Sequence, residues 1–551
     1  MFLARIDQCP QPPATAPAFL DLRLLMTTGT PTSVQGRAET TSLPIGYWQS
    51  PLASVLKKCF SFPVLLGALL LGVNFEIVRT LSLDPDTWWH IKYGETILKT
   101  GQWPMVDTWS FTAHGMPRMA YEWGGEVVTA LAWRLDGLRG LDVLLIVLTS
   151  MIVLLLYYFA WLRCRSSKAA FLGACLMLPV AAMCFTLRPQ LLGYIFLLIT
   201  MISLERFRQG QQKTLWVLPP LFLAWVNTHG SFTLGFMVLG LYWLSGLADF
   251  SFGGLHAVRW RPAQRLHMEI VCLLSVLVLP ITPYGTRLAA VPLEVATSLP
   301  LNFSSITEWQ PLSMSSGGGK LVLILLFAFI VAQITFRLSY RLEELALFFI
   351  VAYLTFIHLR FAVLYAIVFA PLAASILARW VPAYDPMIDK YVLNAALILA
   401  VCSALVWYLP SQAALHKTIA KGYPVQAVRY LRYHPLPGRM FNAYGFGGYL
   451  VWAMAPEHKV FIDGRGDVYE QAGVFSDYLD VMSIRPDALA ILQSYRINSC
   501  LVERDSALAA LLGTIPGWKR IYEDKLSAIF VRTALPRPKA DAAEGVSNHA
   551  R

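Results

Sequence analysis

The residues best able to do chemistry follow the first long apolar run. They read Leu83-Asp84-Pro85-Asp86-Thr87-Trp88-Trp89-His90-Ile91-Lys92-Tyr93-Gly94, then Ile97, Gly101, Pro104, Asp107 and Glu122-Trp123. A carboxylate can take the proton of an attacking hydroxyl as its oxygen forms a new bond. Asp86, Asp107 and Glu122 are the candidate catalytic residues. In a helix that starts at Asp86, His90 and Ile97 share its face while Trp89 points elsewhere. A plainer role competes, because aspartate is a good helix N-cap and Asp84 or Asp86 would serve as one. The two readings are compatible.

Further polar residues stand at the edges of apolar runs. They are Arg188 and Gln190 in Arg-Pro-Gln, Asn227 and His229 in Asn-Thr-His-Gly, and Arg360. Cations and donors fixed in advance suit a leaving group that gathers negative charge as it departs. With His90, these five form the candidate substrate-binding set. The competing readings are snorkelling anchors for the two arginines and interhelical hydrogen bonds for Asn227 and His229. Asp86 and Asp107 could also hold a divalent ion such as Mg or Mn, though nothing in the pattern requires one. The eight cysteines form no CxxC pair and no Cys/His cluster with zinc spacing.

Composition says what scaffold positions these groups. Of 551 residues, 56% are hydrophobic and 14% charged, where a soluble globular chain carries about 25% charged residues. Apolar runs of about 18 residues match the hydrocarbon core of a bilayer when helical. Eleven candidate spans follow: Phe62–Leu81, Leu141–Leu162, Ala169–Leu187, Gln190–Leu204, Leu215–Val226, Phe232–Leu247, Ile270–Thr282, Leu321–Phe336, Leu342–Ile357, Phe361–Ala378 and Val392–Leu409. The expected fold class is therefore an all-α polytopic membrane domain, residues 61–410, followed by a small soluble α/β domain, residues 411–533. Residues 1–60 and 534–551 read as disordered tails.

The net charge of +11 raises the question of nucleic acid, but the basic residues sit in short loops between apolar runs. That is a topology pattern, not a phosphate-tracking face. With the N-terminus inside, the inside loops hold Lys57/Lys58, Arg163/Arg165/Lys168, Arg206/Arg208/Lys213, Arg259/Arg261/Arg265, Arg337/Arg341 and Arg379/Lys390. The short outside turns hold isolated Arg188, Arg287 and Arg360. The alternation never breaks, so loop 83–140 and everything after Pro410 are expected outside.

The C-terminal segment alternates short strands and helices. Helices are expected over Val425–Tyr433, Gly447–Met454, Asp477–Met482 and Ala488–Ser494. Strands are expected over Arg439–Asn442, Lys459–Asp463, Ser499–Glu503, Trp518–Glu523 and Ala528–Arg532, the last two around an Asp524-Lys525 turn. The glycines at 445–448 lack the spacing of a phosphate cradle and suit close packing at a helix start.

An acid just after the first span, opening an amphipathic helix with Gly101 and Trp103 behind it, resembles the GT-C glycosyltransferases. These are multi-span enzymes that use polyprenyl-phosphate sugars, such as the protein O-mannosyltransferases and the aminoarabinose lipid A transferase. The wider pattern is similar to a large group of bacterial multi-span membrane proteins near that superfamily. Its marks are Asp86, Trp89-His90, Gly94, Pro104, Asp107, Glu122-Trp123, Arg188-Pro189-Gln190, Asn227-Thr228-His229-Gly230, Phe441-Asn442-Ala443-Tyr444 with Gly447-Gly448-Tyr449, and Phe461-Ile462-Asp463-Gly464-Arg465. The resemblance implies an inverting glycosyl transfer at the outer face of a bacterial cytoplasmic (inner) membrane. It implies Asp86 as general base, a periplasmic C-terminal domain, and as partners a lipid-linked sugar donor, membrane lipids and a glycan, lipid or protein acceptor. Two other classes stay open: a non-catalytic assembly protein that binds a partner, and a transporter or flippase of lipid-linked glycans.

Overall fold

A computed structural model of the protein describes residues 51–79, 83–298 and 300–533. The expected tails lie outside these residues, save for 51–60. The described residues from Leu56 onward make one compact unit.

Each of the eleven apolar segments contains a helix, because a chain without water must satisfy its backbone internally. The helices are Phe62–Val78, Trp123–Cys164, Ser167–Ala182, Gln190–Arg208, Leu218–Val226, Phe232–Ser245, Pro262–Leu277, Gly317–Phe336, Leu342–Ile357, Ala362–Leu377 and Tyr391–Trp407. Among the described residues, four are long and apolar enough to cross a membrane, or six if each bent pair is one span. The chain is a multi-pass membrane protein.

The centre of this part is the pair Ser167–Ala182 and Ala362–Leu377. Small residues let the two backbones close up, as a Cβ on Gly173 would stand 2.9 Å from the Ala370 carbonyl oxygen. Around them, the connections 183–189, 227–231 and 358–361 gather at one end of the helices. At other helix ends the basic residues meet glutamates. Arg163 pairs with Glu344, Arg341 with Glu205 and Glu344, and Arg208 with Glu343.

The long helix Trp123–Cys164 is not one rod. Asp136 and Gly137 leave helical geometry, with Gly137 at φ +53°, where a side chain would be strained. Residues 123–135 thus belong to the first loop and 138–164 to the span, which sets the boundary near the expected position 141. The loop also holds the helix Thr87–Thr100, stopped by Gly101 in the left-handed conformation at φ +66°.

Strands Phe250–Phe252 (β1), Leu255–Ala257 (β2) and Tyr340–Arg341 (β3) form a minor sheet. The C-terminal domain is built on Arg439–Asn442 (β4), Ile497–Glu503 (β5), Trp518–Glu523 (β6) and Ser527–Arg532 (β7), in the order β4-β5-β7-β6. The β4–β5 pair is parallel and the others antiparallel. The β6–β7 turn is fixed by Asp524, whose Oδ1 accepts from the Leu526 and Ser527 N–H groups.

One expected strand is absent. Residues 459–463 form an extended loop, although Val460, Phe461 and Ile462 are buried as a strand's would be. Their hydrogen bonds go elsewhere. The Val460 N–H donates to the Trp109 carbonyl and the Val460 carbonyl accepts from Phe111. Asn442 takes both the Phe461 N–H and the Ile462 carbonyl. An apolar run predicts burial, not the partner that satisfies its backbone. Here the partners are the first loop and one asparagine, so the C-terminal domain shares its interior with that loop.

Candidate active site

The helix Thr87–Thr100 fixes the first carboxylate. Asp86 occupies its N-cap position, but its side chain caps nothing. Instead Asp84 accepts from the Asp86 N–H at 3.0 Å. The Asp86 carboxylate accepts from Trp89 Nε1 at 3.0 Å and from Arg188 Nη2 at 2.6 Å. Trp89 therefore does not point elsewhere. At i+3 it lies over Asp86 on the same helix surface.

Arg188 comes from the connection before Gln190–Arg208. Besides Asp86 it donates to Glu308 Oε2 at 2.8 Å and lies 3.6 Å from Asp84. Arg360, just before Ala362–Leu377, holds the other Glu308 oxygen at 3.4 Å while its guanidinium stacks 3.9 Å from the Trp309 ring. Glu122 sits between two histidines, 3.2 Å from His229 Nε2 and 3.6 Å from His90 Nε2. The Ser231 N–H donates to His229 Nδ1 at 3.1 Å. That nitrogen must then be the acceptor, so Nε2 carries the proton and donates to Glu122.

These groups line one cavity of about 900 Å³. Its walls include Asp84, Asp86, Glu122, Arg188, Gln190, His229, Glu308 and Arg360, together with Tyr444 and Gly464 of the C-terminal domain. A volume of this order suits a small-molecule ligand. His90 stands directly behind the wall, fully buried, with its other nitrogen 3.4 Å from Glu126.

Two expected site residues lie elsewhere. Asn227 bonds to Trp123 Nε1 and to the carbonyls of Leu223 and Ile281, joining loop to helix end. Asp107 is buried against Arg465 and also accepts from the Ser110 N–H and hydroxyl. Asp86 and Asp107 thus do not face a common point where both could hold a divalent ion. Among the described residues, no group of three or more His, Cys, Asp or Glu side chains is arranged to hold a metal.

Burial governs the electrostatics here. It pushes Asp86 up to about 8 against the pull of Arg188, with Asp84 adding to the rise. It pushes Glu122 up to about 7 against Arg188, Arg118 and Arg360. His229 is pushed down to about 3 by burial and by the two arginines, so it is neutral. For Glu308 the balance reverses: burial would raise it, but Arg188 and Arg360 hold it below the usual carboxylate range. At neutral pH the cavity thus offers two guanidinium groups bridged by one firmly charged carboxylate, and two carboxyl groups that exchange protons near neutrality.

No family model and no curated protein matches this sequence. Solved structures similar to it include the archaeal oligosaccharyltransferase AglB from Archaeoglobus fulgidus, in complex with an inhibitory peptide and a dolichol-phosphate. It is 11% identical over 83% of this chain and 70% of that one, with a TM-score of 0.46. ArnT from Cupriavidus metallidurans, bound to undecaprenyl phosphate, is 14% identical over 86% of this chain and 98% of its own, with a TM-score of 0.45.

The C-terminal lining was not among the sequence candidates. Tyr444 donates its hydroxyl proton to the Gly464 carbonyl, and a Cβ on Gly464 would stand 1.6 Å from Asp86 Oδ1. The runs Tyr444–Tyr449 and Phe461–Arg465 carried that information as glycines placed beside acids and aromatics. Glu308, also absent from the sequence candidates, is the carboxylate that bridges the two arginines.

Proposed function

We propose that the protein is a glycosyltransferase that moves a sugar from a polyprenyl phosphate to an acceptor hydroxyl. The observation that carries this reading is one cavity in which the proton-accepting groups Asp86 and Glu122 face the cations Arg188 and Arg360 at the ends of apolar helices. The acceptor oxygen attacks the anomeric carbon as the bond from that carbon to the phosphate oxygen breaks, with inversion. Asp86 takes the acceptor proton, and Arg188 and Arg360 receive the charge gathering on the departing phosphate. Glu308 occupies the guanidinium positions that the phosphate would take.

The probes for the lipid half are undecaprenyl phosphate and dolichol phosphate, titrated into the purified chain in detergent and followed by tryptophan fluorescence. Arg360→Ala removes one charge-assisted contact and is expected to weaken binding about tenfold or more. Equal binding by wild type and variant would remove Arg360 from the phosphate site.

The same reading takes all eleven apolar helices as spans, with the N-terminus inside and the C-terminal domain in the periplasm of a bacterial inner membrane. A periplasmic reporter fused after Leu415 is expected to be active, and one fused after Arg165 silent. A silent Leu415 fusion would reverse the orientation or change the span count by one.

A further inference from the structure

The turn Asp463-Gly464-Arg465-Gly466-Asp467 belongs to the C-terminal domain, yet it presses on the first loop at the reacting carboxylate. A Cβ on Gly464 would stand 1.6 Å from Asp86 Oδ1 and 3.1 Å from Trp89 Nε1. Nearby, a Cβ on Gly448 would stand 2.2 Å from the Pro85 carbonyl oxygen. At Gly448 the obstacle is backbone, while at Gly464 it is the Asp86 carboxylate itself, which a side chain there would displace.

The turn cannot easily recede. Arg465 is fully buried and donates to both Asp463 oxygens, to Asp107 Oδ1 and to the Tyr93 hydroxyl, so it ties the turn to the first loop. Tyr469 donates to Asp463 from the following helix. Asp467, two residues on, pairs with Arg118 of the first loop. Arg465, Asp463, Asp107 and Tyr469 lie behind the cavity wall, while Gly464, Gly466 and Asp467 line the cavity itself.

We propose that Gly464 is a positioning residue for Asp86, and that Arg465, clamped by Asp107, holds the turn that does the positioning. The C-terminal domain is then part of the site and not a separate partner-binding module. The consequence for transfer rests on Asp86 being the reacting carboxylate, but the placement itself can be tested without any transfer assay.

The test is labelling of Asp86 in the full chain in detergent by a water-soluble carbodiimide and glycine methyl ester. Only the protonated carboxyl is activated, so the extent of amide formed, read by mass spectrometry across pH, reports its proton affinity. Asp84, Arg188, Glu308 and Tyr444 face the carboxylate from the four elements packed around it and remain in every variant.

In Gly464→Ala the clamped turn cannot yield. The carboxylate must leave its Trp89 and Arg188 donors, both of which favour its charged form. Its half-labelling pH is expected to rise by about one unit or more. Leu512→Ala, a cavity under a helix that packs on β5, β6 and β7, is expected to lower the melting temperature and leave the labelling curve in place. An unchanged curve in a folded Gly464→Ala protein would overturn the proposal, as would an equal shift in Leu512→Ala. Should Gly464→Ala fail to fold, Asp107→Asn decides. Loosening the clamp is expected to shift the Asp86 curve, and an unmoved curve overturns the assignment. If Asp86→Asn keeps full transfer activity, the glycosyltransferase mechanism fails, whatever the labelling shows.

Discussion

Asp86→Asn is expected to insert and fold normally and to lose about 10²–10⁴-fold of its transfer rate, the usual worth of a general base. Asparagine keeps the size of the side chain, and its one carbonyl oxygen can still accept from Trp89 Nε1 or Arg188, the two donors that Asp86 now holds on separate oxygens. What it loses is the capacity to take a proton. The pH profile separates this from a loss of shape. Burial raises the Asp86 carboxyl to about 8, and a base works only when deprotonated, so the wild-type rate should climb as pH rises through about 8. The residual rate of the variant should lack that step. Asp84→Asn is the comparison. Asp84 lies 3.6 Å from Arg188 and its oxygen accepts the Asp86 N–H, a bond that asparagine can also make. Its loss should be small. The assay is transfer from a radiolabelled polyprenyl-phosphate sugar into host membrane extract, normalised to protein in the membrane. Full activity in Asp86→Asn would reject the mechanism and favour a partner-binding role.

Much of the cavity could be read from the sequence because membrane topology is written in charge. Arg188, His229 and Arg360 come from three connections far apart in the chain, yet the Lys/Arg alternation puts all three on one side of the helices. The structure brings them to one cavity with Asp86 and Glu122. Helices were legible because apolar length and burial of the backbone leave few other choices. Tertiary pairing was not. Arg465 and Asp107 are 358 positions apart, and neither periodicity nor hydropathy links a buried arginine to one particular acid. Asp107 therefore looked like a site residue from its position in the first loop. Residues 459–463 looked like a strand for a related reason: their apolar pattern reports that they are buried, while their partners Trp109, Phe111 and Asn442 lie outside the pattern. Asp86 itself was legible as a helix start. That its side chain leaves the helix N–H groups for Trp89 and Arg188 follows from tertiary neighbours that no local pattern names.

Replacing Arg465 should cost more stability than any other single change near the site. Its guanidinium is 0% exposed, as are Asp107 and Asp463, and it is the charged partner that neutralises both. Arg465→Met keeps most of the volume but leaves two carboxylates buried among Tyr93, Trp109 and Tyr469 without their cation. Removing one member of a buried ion pair costs about 3–5 kcal/mol, because the stranded charge keeps its desolvation penalty. The purified variant should melt several degrees lower in detergent, or fail to accumulate in the membrane. Adding Asp463→Asn and Asp107→Asn to it removes the stranded charges and should recover part of the loss. If the clamp were unimportant, the triple variant would be no better than the single one. Acid gives the same result by another route. Burial alone would raise Asp463, but Arg465 and Tyr469 hold it below the usual carboxylate range. Its contribution is therefore present above the unfolded value of about 3.9 and is lost as pH falls from there through the lower folded value. Wild-type melting should drop steeply over that acid range, and Arg465→Met, which has already lost the interaction, should show a shallower drop.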